Sequence, residues 1–520
     1  MEHAISWLRS IGEFALRGSD FSEKGVMTGI PPTVAKDEAT AVPRPSISHC
    51  PESRKHDTST KKGIMFDKFF DQTVELSLSC GRKLTESEFA KVKNFEDFGF
   101  PSRLSANIAS AGYTKPTPIQ QYAMKCIVER QDIIGCSPTG SGKTAAYLLP
   151  ILHRLLKGGV FCISNKSPCK PRVLILVPSR ELAIQIHQVI SKFTSGTYCK
   201  CEVLYEGTPF EKPKNIEILK GVSILVGTTG RVKKFVDEGI VSLEEIQYLV
   251  LDEADRMLDA TFAEDLKYIM RKGRIQPRDK RQTLLFSATF PALVKERLKR
   301  WKLLKDDHLM VVIGKIGAAN KCIVQDVVQV SIYEKNAKLL ELVRADREKY
   351  ERSRDSATFT QKTLIFVTSK KMADDLDLLL CYNGISAAVI HAGREQARRE
   401  SALDDFRFGR IPFLIATAVA ERGLDIAGVD HVINYDMPKE LDDYVYRIGR
   451  TGRIGNAGHS TSFIDPAHDG HIIDPLVNLL TQAEQIVPDW VEELRNSLRE
   501  KSLKMDFIVD ILSGLVVSLS

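Results

Sequence analysis

Residues 137–144 combine the residue types that bind a phosphate group. The segment is rich in glycine and ends in Gly-Lys-Thr. Gly140 and Gly142 allow backbone amides to curl around a phosphate, and Lys143 brings a positive charge to it. The hydroxyl of Thr144 can ligate Mg²⁺. An apolar stretch precedes the segment and a helical pattern follows it, so the sequence predicts a phosphate loop for a nucleoside triphosphate.

Adjacent carboxylates follow the apolar run Tyr248–Leu251, which has the composition of a buried strand. The ordinary alternative is an acidic cap for the next helix. With a phosphate loop in the same chain, we predict instead that Asp252 holds Mg²⁺ through water. Glu253 would then orient or deprotonate the attacking water.

Upstream of the phosphate loop, residues 112–120 carry candidate contacts for a nucleotide base. Gln120 follows two prolines, and its amide can both donate to and accept from the edge of adenine. Phe95, earlier in the chain, is a candidate for covering the base. Read alone, the segment is an ordinary proline turn before a helix. The phosphate loop nearby favours the adenine contact.

Closely spaced arginines separated by glycines occupy residues 447–453. Arg450 and Arg453 have the character of arginine fingers, which reach the γ-phosphate from a second domain. A solvated basic turn and a patch for RNA phosphates are the alternatives. The finger interpretation is favoured because the second half of the chain has no phosphate loop of its own.

Short β-branched runs alternate with helical patterns in two successive blocks, which predicts α/β architecture with two parallel sheets flanked by helices. The predicted organisation is a disordered N-terminal tail (1–62), a first domain (63–305), a linker (306–325), a second domain (326–490) and a C-terminal tail (491–520). The strands expected in the first domain are Asp132–Cys136, Val173–Val177, Ser223–Gly227, Tyr248–Leu251 and Thr283–Phe286. Those expected in the second domain are Thr363–Val367, Ala387–Ile390, Phe413–Ala416, Val432–Tyr435 and Thr461–Ile464.

Composition sets limits on the class of protein. The chain has 520 residues, of which 43% are hydrophobic, and a formal net charge of +6. The hydrophobic content is enough for the cores of two domains. The small positive charge indicates only a mild preference for polyanions such as nucleic acids. The 10 cysteines include no Cys-x-x-Cys pair, so we expect reduced thiols and no zinc site. We also expect no signal peptide and no membrane span.

The ordered motifs resemble those of the DEAD-box RNA helicase family over about residues 64–495. The matching segments are Phe95 with Gln120, Ser137–Thr144, Pro178–Ala183, Thr228–Arg231, Asp252–Asp255, Ser287–Thr289, Leu364–Val367, Gln396 with Arg399, Thr417 with Arg422–Asp425, and Arg447–Arg453. Two flanking segments resemble the Vasa-like branch, and these are Gly63–Phe69 and Val487–Glu493.

The resemblance implies two tandem RecA-like domains that close over ATP, Mg²⁺ and RNA. It places ATP contacts at Phe95, Tyr113, Lys115, Gln120, Ser137, Pro138, Thr139, Gly140, Ser141, Gly142, Lys143, Thr144, Gly423 and Asp425. Catalytic roles would fall to Lys143, Glu253, Arg450 and Arg453, and metal binding to Thr144 and Asp252. RNA contacts are expected at Pro178, Arg180, Gly207, Thr228, Gly230, Arg231, Gln396, Arg399 and Thr417. Domain coupling is expected from Asp255, Ser287, Thr289 and Tyr446.

Several positions depart from the family pattern. Ser137-Pro138 stands for Ala-Gln, Thr229 for proline, and Tyr446 for histidine, while a glycine pair is replaced by Glu206-Gly207 and the segment at His391–Arg394 lacks its aspartate. None of these changes removes a residue of the ATP site. Glu206 would repel RNA phosphate weakly, and Tyr446 can offer a hydroxyl to Asp255 but no positive charge. We hypothesise that domain coupling is weaker here than in a typical family member.

Three functional hypotheses follow from the sequence. The leading one is an RNA-stimulated ATPase that parts short RNA duplexes locally, acting as a monomer with little sequence preference. The second is an ATP-gated RNA clamp or scaffold with little unwinding, and the third is a DNA-directed helicase. The Vasa-like resemblance adds ribonucleoprotein or germ-granule proteins as candidate partners. It also implies a cytoplasmic location, with the nucleus as an alternative.

Overall fold

The computed structural model describes residues 72–85, 89, 91–158, 168–207, 217–315, 317, 322–353, 361–418, 426, 428–452 and 457–501. The predicted disordered tail 1–62 and the Vasa-like segment Gly63–Phe69 lie outside the described residues. So do three of the predicted site residues, which are Gly423, Asp425 and Arg453.

The first sheet contains nine strands among the described residues. They are β1 (Val74–Leu78), β2 (Lys83–Leu84), β3 (Ile133–Cys136), β4 (Val173–Val177), β5 (Cys201–Leu204), β6 (Ile224–Thr228), β7 (Tyr248–Asp252), β8 (Gln282–Ser287) and β9 (Leu309–Ile313). Their order is β2-β1-β9-β3-β8-β7-β4-β6-β5. The pairs made by β1 with β2 and with β9 are antiparallel, and the other pairs are parallel.

Helices cover both faces of this sheet, and each face has its own apolar core. The helices are α1 (Ser102–Ser110), α2 (Pro118–Val128), α3 (Lys143–Lys157), α4 (Arg180–Phe193), α5 (Thr229–Asp237), α6 (Ala254–Met257), α7 (Ala260–Lys272) and α8 (Ala292–Trp301). Burial on both faces explains why β3, β4, β7 and β8 are apolar runs without alternation.

The second sheet has six strands in the described part of the chain. They are β10 (Ile323–Gln329), β11 (Thr363–Phe366), β12 (Ala387–Ile390), β13 (Phe413–Ala416), β14 (His431–Asn434) and β15 (Gly458–Ile464). They lie in the order β10-β15-β14-β11-β13-β12, and every neighbouring pair is parallel. The accompanying helices are α9 (Lys335–Ser353), α10 (Lys370–Tyr382), α11 (Gln396–Arg407), α12 (Leu441–Ile448), α13 (Gly470–Gln482) and α14 (489–501).

The ten strands expected from the sequence are all present, with ends shifted by no more than a few residues. Strands β1, β2, β5, β9 and β10 were missed. Four of these strands lie at or beside a sheet edge, whereas β9 lies third from the edge of the first sheet. Strand β10 alternates buried and exposed residues over the short run Ile323–Gln329, which is a weak signal beside the continuous apolar runs of the central strands.

Two predicted boundaries need correction. The segment 306–325 is not wholly a linker, because β9 inserts between β1 and β3 and β10 joins the second sheet. The predicted C-terminal tail begins inside a packed helix, since Val491 is fully buried in the second domain and Arg495 pairs with Asp474. In both places apolar residues become ordered because they pack against the rest of a domain. Charged residues beside them in the sequence led to the prediction of a linker and a tail.

Candidate functional site

The phosphate loop lies between the end of β3 and the start of α3. Gly140 has φ 73° and Gly142 has φ 87°, in the left-handed region that favours glycine. A Cβ at Gly142 would lie 2.5 Å from Nε2 of Gln120, so space as well as conformation requires glycine there. The hydroxyls of Ser137 and Ser141 hydrogen-bond across the loop at 2.7 Å. These contacts and the two glycine conformations hold the loop in a curled form.

Lys143 points back into this loop. Its Nζ donates to the carbonyl of Ser137 at 2.7 Å and to that of Pro138 at 3.0 Å. Burial lowers the pKa of Lys143 to about 8, while the charges of Asp252 and Glu253 oppose that shift. The Lys143 ammonium group would exchange these neutral carbonyl acceptors for phosphate oxygens, because hydrogen bonds to ionised acceptors are stronger. The residues present therefore fit a bound nucleotide.

Asp252 ends strand β7 and is almost fully buried. Its Oδ1 accepts from the backbone amide of Glu253 at 3.0 Å, and its Oδ2 accepts from the hydroxyl of Tyr147 at 2.9 Å. Burial raises the pKa of Asp252, and the charge of Lys143 opposes that rise. Tyr147 was not singled out in the sequence. The available signal was its position one helical turn after Lys143, on the same face of α3.

Glu253 adopts a backbone conformation that is rare for a residue with a side chain. Its φ is 56° and its ψ is 53°, in the left-handed helical region. A residue in such a conformation carries backbone strain of order 1–3 kcal/mol, and residues of this kind are most frequent at functional sites. The turn makes the chain leave β7 sharply and begin α6 at Ala254. Glu253 and Asp252 therefore present their carboxylates from the carboxyl end of a strand, where open α/β sheets bind ligands.

Gln120 connects helix α2 to the phosphate loop. Its Nε2 donates to the carbonyl of Gly142 at 3.0 Å, and its Oε1 accepts from the backbone amide of Thr117 at 2.9 Å. The amide keeps one further hydrogen and one further lone pair. The predicted adenine contact thus stays a prediction beside a clear structural role. Phe95 is buried in the core against Tyr113, with ring centroids 6.2 Å apart, and Lys115 is exposed.

Asp255 lies at the centre of a hydrogen-bond network that joins the two domains. Its Oδ2 accepts from the hydroxyl of Thr289 at 2.6 Å and from the hydroxyl of Tyr446 at 2.8 Å. The Tyr446 oxygen also lies 3.2 Å from the Ser287 hydroxyl and accepts from the amide of Ala288 at 3.2 Å. The four residues expected to couple the domains are thus brought together around one phenol group, which is 1% exposed.

A second contact joins the phosphate loop itself to the second domain. The hydroxyl of Thr139 donates to the carbonyl of Gly449 at 2.9 Å. A Cβ at Gly449 would lie 2.3 Å from that hydroxyl, so only glycine permits this approach. Arg450, the next residue, is 2% exposed, and its Nε donates to the carbonyl of Tyr446 at 3.1 Å. The predicted finger arginine is therefore held beside the coupling network.

The predicted RNA contacts of the two domains meet in a polar cluster. Arg180 forms an ion pair with Glu206, and its NH1 lies 3.5 Å from Oε1 of Gln396. Tyr205 donates to Glu400 at 3.3 Å, and Gln396 donates to the same oxygen at 3.0 Å. Glu206, the carboxylate at an unusual position, is thus engaged by the arginine expected to grip phosphate.

Arg399, one of the predicted RNA contacts, lies in a buried ion pair between the domains. It forms an ion pair with Glu181, and the two side chains are 5% and 1% exposed. Burial raises the pKa of the Glu181 carboxyl, and the charge of Arg399 opposes that rise. This pair joins the two domains, a contact that the sequence could not show because Glu181 lies far away in the chain. The contact of Arg399 with RNA stays a prediction.

The remaining predicted RNA contacts differ in exposure. Gly207 and Gly230 are exposed, whereas Arg231 is 4% exposed and lies over the ring of Phe235, 4.9 Å from its centroid. Buried placement leaves Arg231 suited to holding helix α5 rather than reaching into solvent. The others lie at the ends of strands or in the following turns, and these are Pro178, Thr228 and Thr417.

Two wider features bear on the setting of the protein. Within the described residues, no helix is both long enough and apolar enough to cross a lipid bilayer. The cysteines in that part of the chain are free thiols.

Two family models match successive parts of the chain. A model described as DEAD/DEAH box helicase matches residues 117–297. A model described as helicase conserved C-terminal domain matches residues 334–455. The first match contains the phosphate loop and both carboxylates, and the second contains Arg399, Tyr446 and Arg450.

Curated relatives match most of this chain and part of their own length. An ATP-dependent RNA helicase of Caenorhabditis elegans, glh-3, is 46% identical over 432 residues, which cover 83% of this chain and 59% of that protein. A probable ATP-dependent RNA helicase of Homo sapiens, DDX4, is 40% identical over 462 residues, or 88% of this chain and 61% of that protein. The chain thus spans less than two thirds of these relatives.

Solved structures share the two-domain arrangement. Dbp5 of S. cerevisiae, bound to RNA and ADP BeF3, superimposes with a TM-score of 0.64 at 28% identity, covering 79% of this chain and 99% of that one. Mss116p bound to single-stranded RNA and AMP-PNP gives a TM-score of 0.64 at 27% identity, covering 79% and 82%.

Proposed function

Since the chain belongs to the DEAD-box RNA helicase family, in its Vasa-like branch, we propose that it hydrolyses ATP in response to RNA and thereby parts short RNA duplexes. The observation that carries this proposal is the hydrogen bond from Tyr446 to Asp255. It ties the carboxylate cluster of one domain to the arginine segment of the other. A change at the nucleotide can therefore be transmitted to the second domain.

The chain supplies the groups that hydrolysis needs. Mg²⁺, when bound, would neutralise charge on the phosphates, and Thr144 and Asp252 are the residues that would hold it. Lys143 exchanges its loop carbonyls for phosphate oxygens, and Glu253 takes a proton from water. Arg450 adds positive charge from the second domain. Asp252 and Glu253 are buried, so the electrostatic interactions of their carboxylates are stronger than they would be in bulk water.

RNA is the proposed substrate because Arg180 of the first domain and Gln396 of the second, whose side chains can donate to phosphate oxygens, lie in one cluster between the domains. Arg180 and the exposed glycines 207 and 230 offer charge and open backbone, which suit phosphate oxygens rather than base edges. Little sequence preference is expected as a result. Contacts with 2′-hydroxyl groups would favour RNA over DNA.

The clamp hypothesis remains a second candidate, favoured by one observation. Glu206 engages Arg180, so part of the phosphate grip is already neutralised within the protein. A protein of this kind would hold RNA and turn over ATP with little release of strands. ATPase measurements on single strands, paired with unwinding of a short duplex, separate the two candidates. ATP turnover without strand release would support the clamp. Equal stimulation by DNA would contradict RNA specificity.

Glu253→Gln tests the hydrolytic site. The amide cannot accept a proton from water, so turnover should fall by at least about a hundredfold, while ATP and RNA still bind. Rapid-quench measurement of phosphate release, with fluorescent ATP and labelled RNA to follow binding, checks both halves. Glu264→Gln, which removes an exposed carboxylate of α7, is the matched control. A Glu253→Gln protein with normal turnover would remove Glu253 from the mechanism.

For the whole protein we further propose action as a monomer in cytoplasmic ribonucleoprotein or germ granules, with proteins of those granules as partners. The likeness to glh-3 and DDX4 supports this part of the proposal. Size-exclusion chromatography with light scattering tests the monomer, and imaging of the tagged full-length chain tests the location. A stable dimer, or a diffuse distribution without granules, would contradict the corresponding part.

A further inference from the structure

The hydroxyl of Tyr147 contacts one of the two residues proposed to hold Mg²⁺. It donates to Oδ2 of Asp252 at 2.9 Å. Tyr147 follows Thr144, the other proposed metal residue, by three positions on the same helix, α3. The hydroxyl therefore belongs to the immediate surroundings of the predicted metal site.

The ring of Tyr147 is held so that its hydroxyl has little freedom. The side chain is fully buried, and its ring packs against Phe286 with centroids 5.3 Å apart. Phe286 is the strand partner of Asp252 across β7 and β8. A Cβ at Gly135 would lie 2.6 Å from the Phe286 ring, so a glycine in β3 allows this ring to sit where it does. The packing of three neighbouring strands thus fixes the hydroxyl.

This arrangement determines the orientation of the Asp252 carboxylate. Asp252 has its other oxygen bonded to the amide of Glu253, so the two hydrogen bonds together hold the carboxylate in one rotamer. Groups that orient metal ligands in this way contribute to metal affinity without touching the metal.

The ordinary explanation for the same contact is that a buried tyrosine needs a hydrogen-bond partner. Tyr444 is such a case, because it is fully buried and donates to Gln325 at 3.0 Å in the second domain. Tyr147 differs in its acceptor, which is a carboxylate of the proposed metal site rather than a side-chain amide of the core. The two tyrosines therefore provide a matched comparison.

We propose that Tyr147 is a positioning residue for the Mg²⁺ site, through its hydrogen bond to Asp252. The inference rests on the proposed ATPase function and deepens it. Tyr147→Phe removes one hydroxyl and keeps the ring, so the packing against Phe286 is preserved. The variant should bind divalent cation in its nucleotide complex on the order of tenfold more weakly. Binding of nucleotide in the presence of EDTA should be unchanged.

The test uses the full chain with Mn²⁺ as the probe. Electron paramagnetic resonance of free Mn²⁺ measures its affinity for the protein–ADP complex, and fluorescent ADP in EDTA measures nucleotide binding without metal. Tyr444→Phe is the control, and thermal unfolding of both variants shows that each is folded. The inference is supported if only Tyr147→Phe weakens Mn²⁺ binding.

Two outcomes would overturn the inference, and a third would contradict the proposed function on which it rests. Equal Mn²⁺ affinity in the unmodified protein and Tyr147→Phe would show that the hydroxyl is only a satisfied core group. An equal loss in Tyr444→Phe would show a general effect of removing buried hydroxyls. Failure of the unmodified protein to bind ADP would contradict the proposed function itself, and that result is distinguishable because it requires no variant.

Discussion

The two domains contact each other through two clusters of different chemistry. The nucleotide-side contact consists of Thr139, Asp255, Ser287, Ala288, Tyr446 and Gly449, and its links are hydrogen bonds from neutral hydroxyls and one backbone amide. The RNA-side contact consists of Arg180, Glu181, Tyr205, Glu206, Gln396, Arg399 and Glu400, and most of its links involve charged groups. One cluster joins the domains with a single carboxylate, and the other with several charges of both signs.

This difference implies different sensitivities. A hydrogen bond from a buried phenol to Asp255 is little affected by salt, because no mobile ion competes within the protein. The exposed ion pair Arg180–Glu206 is screened by salt, and Glu206 competes with RNA phosphate for this arginine, whereas the pair Arg399–Glu181 is buried and little screened. We therefore expect ionic strength to act mainly on the Arg180–Glu206 part of the RNA-side contact, while substitutions at Tyr446 act at any salt concentration.

The largest effect is expected from Arg399→Ala. Removal of the guanidinium leaves the Glu181 carboxylate buried without its countercharge, which costs about 3–5 kcal/mol. Closure of the domains, followed by fluorescence transfer between labels, and RNA-stimulated ATP turnover should both fall by about a hundredfold or more.

The control for Arg399→Ala is Arg410→Ala, which breaks an exposed pair with Asp405 in the same domain. The double variant Arg399→Ala with Glu181→Gln should recover part of the loss, because the buried charge is then gone. If the double variant is as impaired as the single one, the buried pair is not what holds this contact together.

An intermediate effect is expected from Tyr446→Phe. The variant removes a hydrogen bond to a charged acceptor, which is worth about 1.5–3 kcal/mol. The hydrogen bond from the Thr289 hydroxyl to Asp255 remains. RNA-stimulated ATP turnover should fall by roughly ten- to a hundredfold at both low and high salt. Tyr435→Phe, which removes the hydroxyl that donates to Asn336 in the second domain, is the control.

Tyr446→His tests whether coupling is weak in this chain. A protonated histidine would give Asp255 a positively charged partner, which a phenol cannot provide at neutral pH. Turnover should therefore rise above that of the unmodified protein. Unchanged turnover would show that the hypothesis of weakened coupling is wrong.

The smallest effect is expected from Glu206→Gln. The change frees Arg180 from an exposed ion pair, which is worth less than about 1 kcal/mol. RNA should bind a few times more tightly at low salt, and the gain should disappear as salt rises. Fluorescence anisotropy across a salt series measures both, with Glu264→Gln as the control. A gain that persists at high salt would mean that Glu206 acts by shape rather than by charge.

Features that depend on one short segment of the chain could be predicted from the sequence. The phosphate loop could be read from Gly140 to Thr144 because a glycine-rich turn between a strand and a helix has few other uses. Central strands such as β4 were predicted with correct ends, because burial on both faces leaves a continuous apolar run. Strand β9 was missed although it is a wholly apolar run, because it is short and follows charged residues within a segment read as a linker. Strand β10 was missed because its apolar residues are interrupted by polar ones and its partner β15 lies far away in the chain.

The amino-acid sequence by itself determined the class of fold and the set of groups available for phosphate chemistry, since both depend on local pattern. Tertiary structure alone decided which groups meet. It brought the Tyr147 hydroxyl to Asp252, turned Arg399 toward Glu181, and placed Tyr446 between Asp255 and Ser287. Such contacts join residues that are distant in the chain. Their distances depend on how sheets and helices pack, and no local spacing of residue types contains that information.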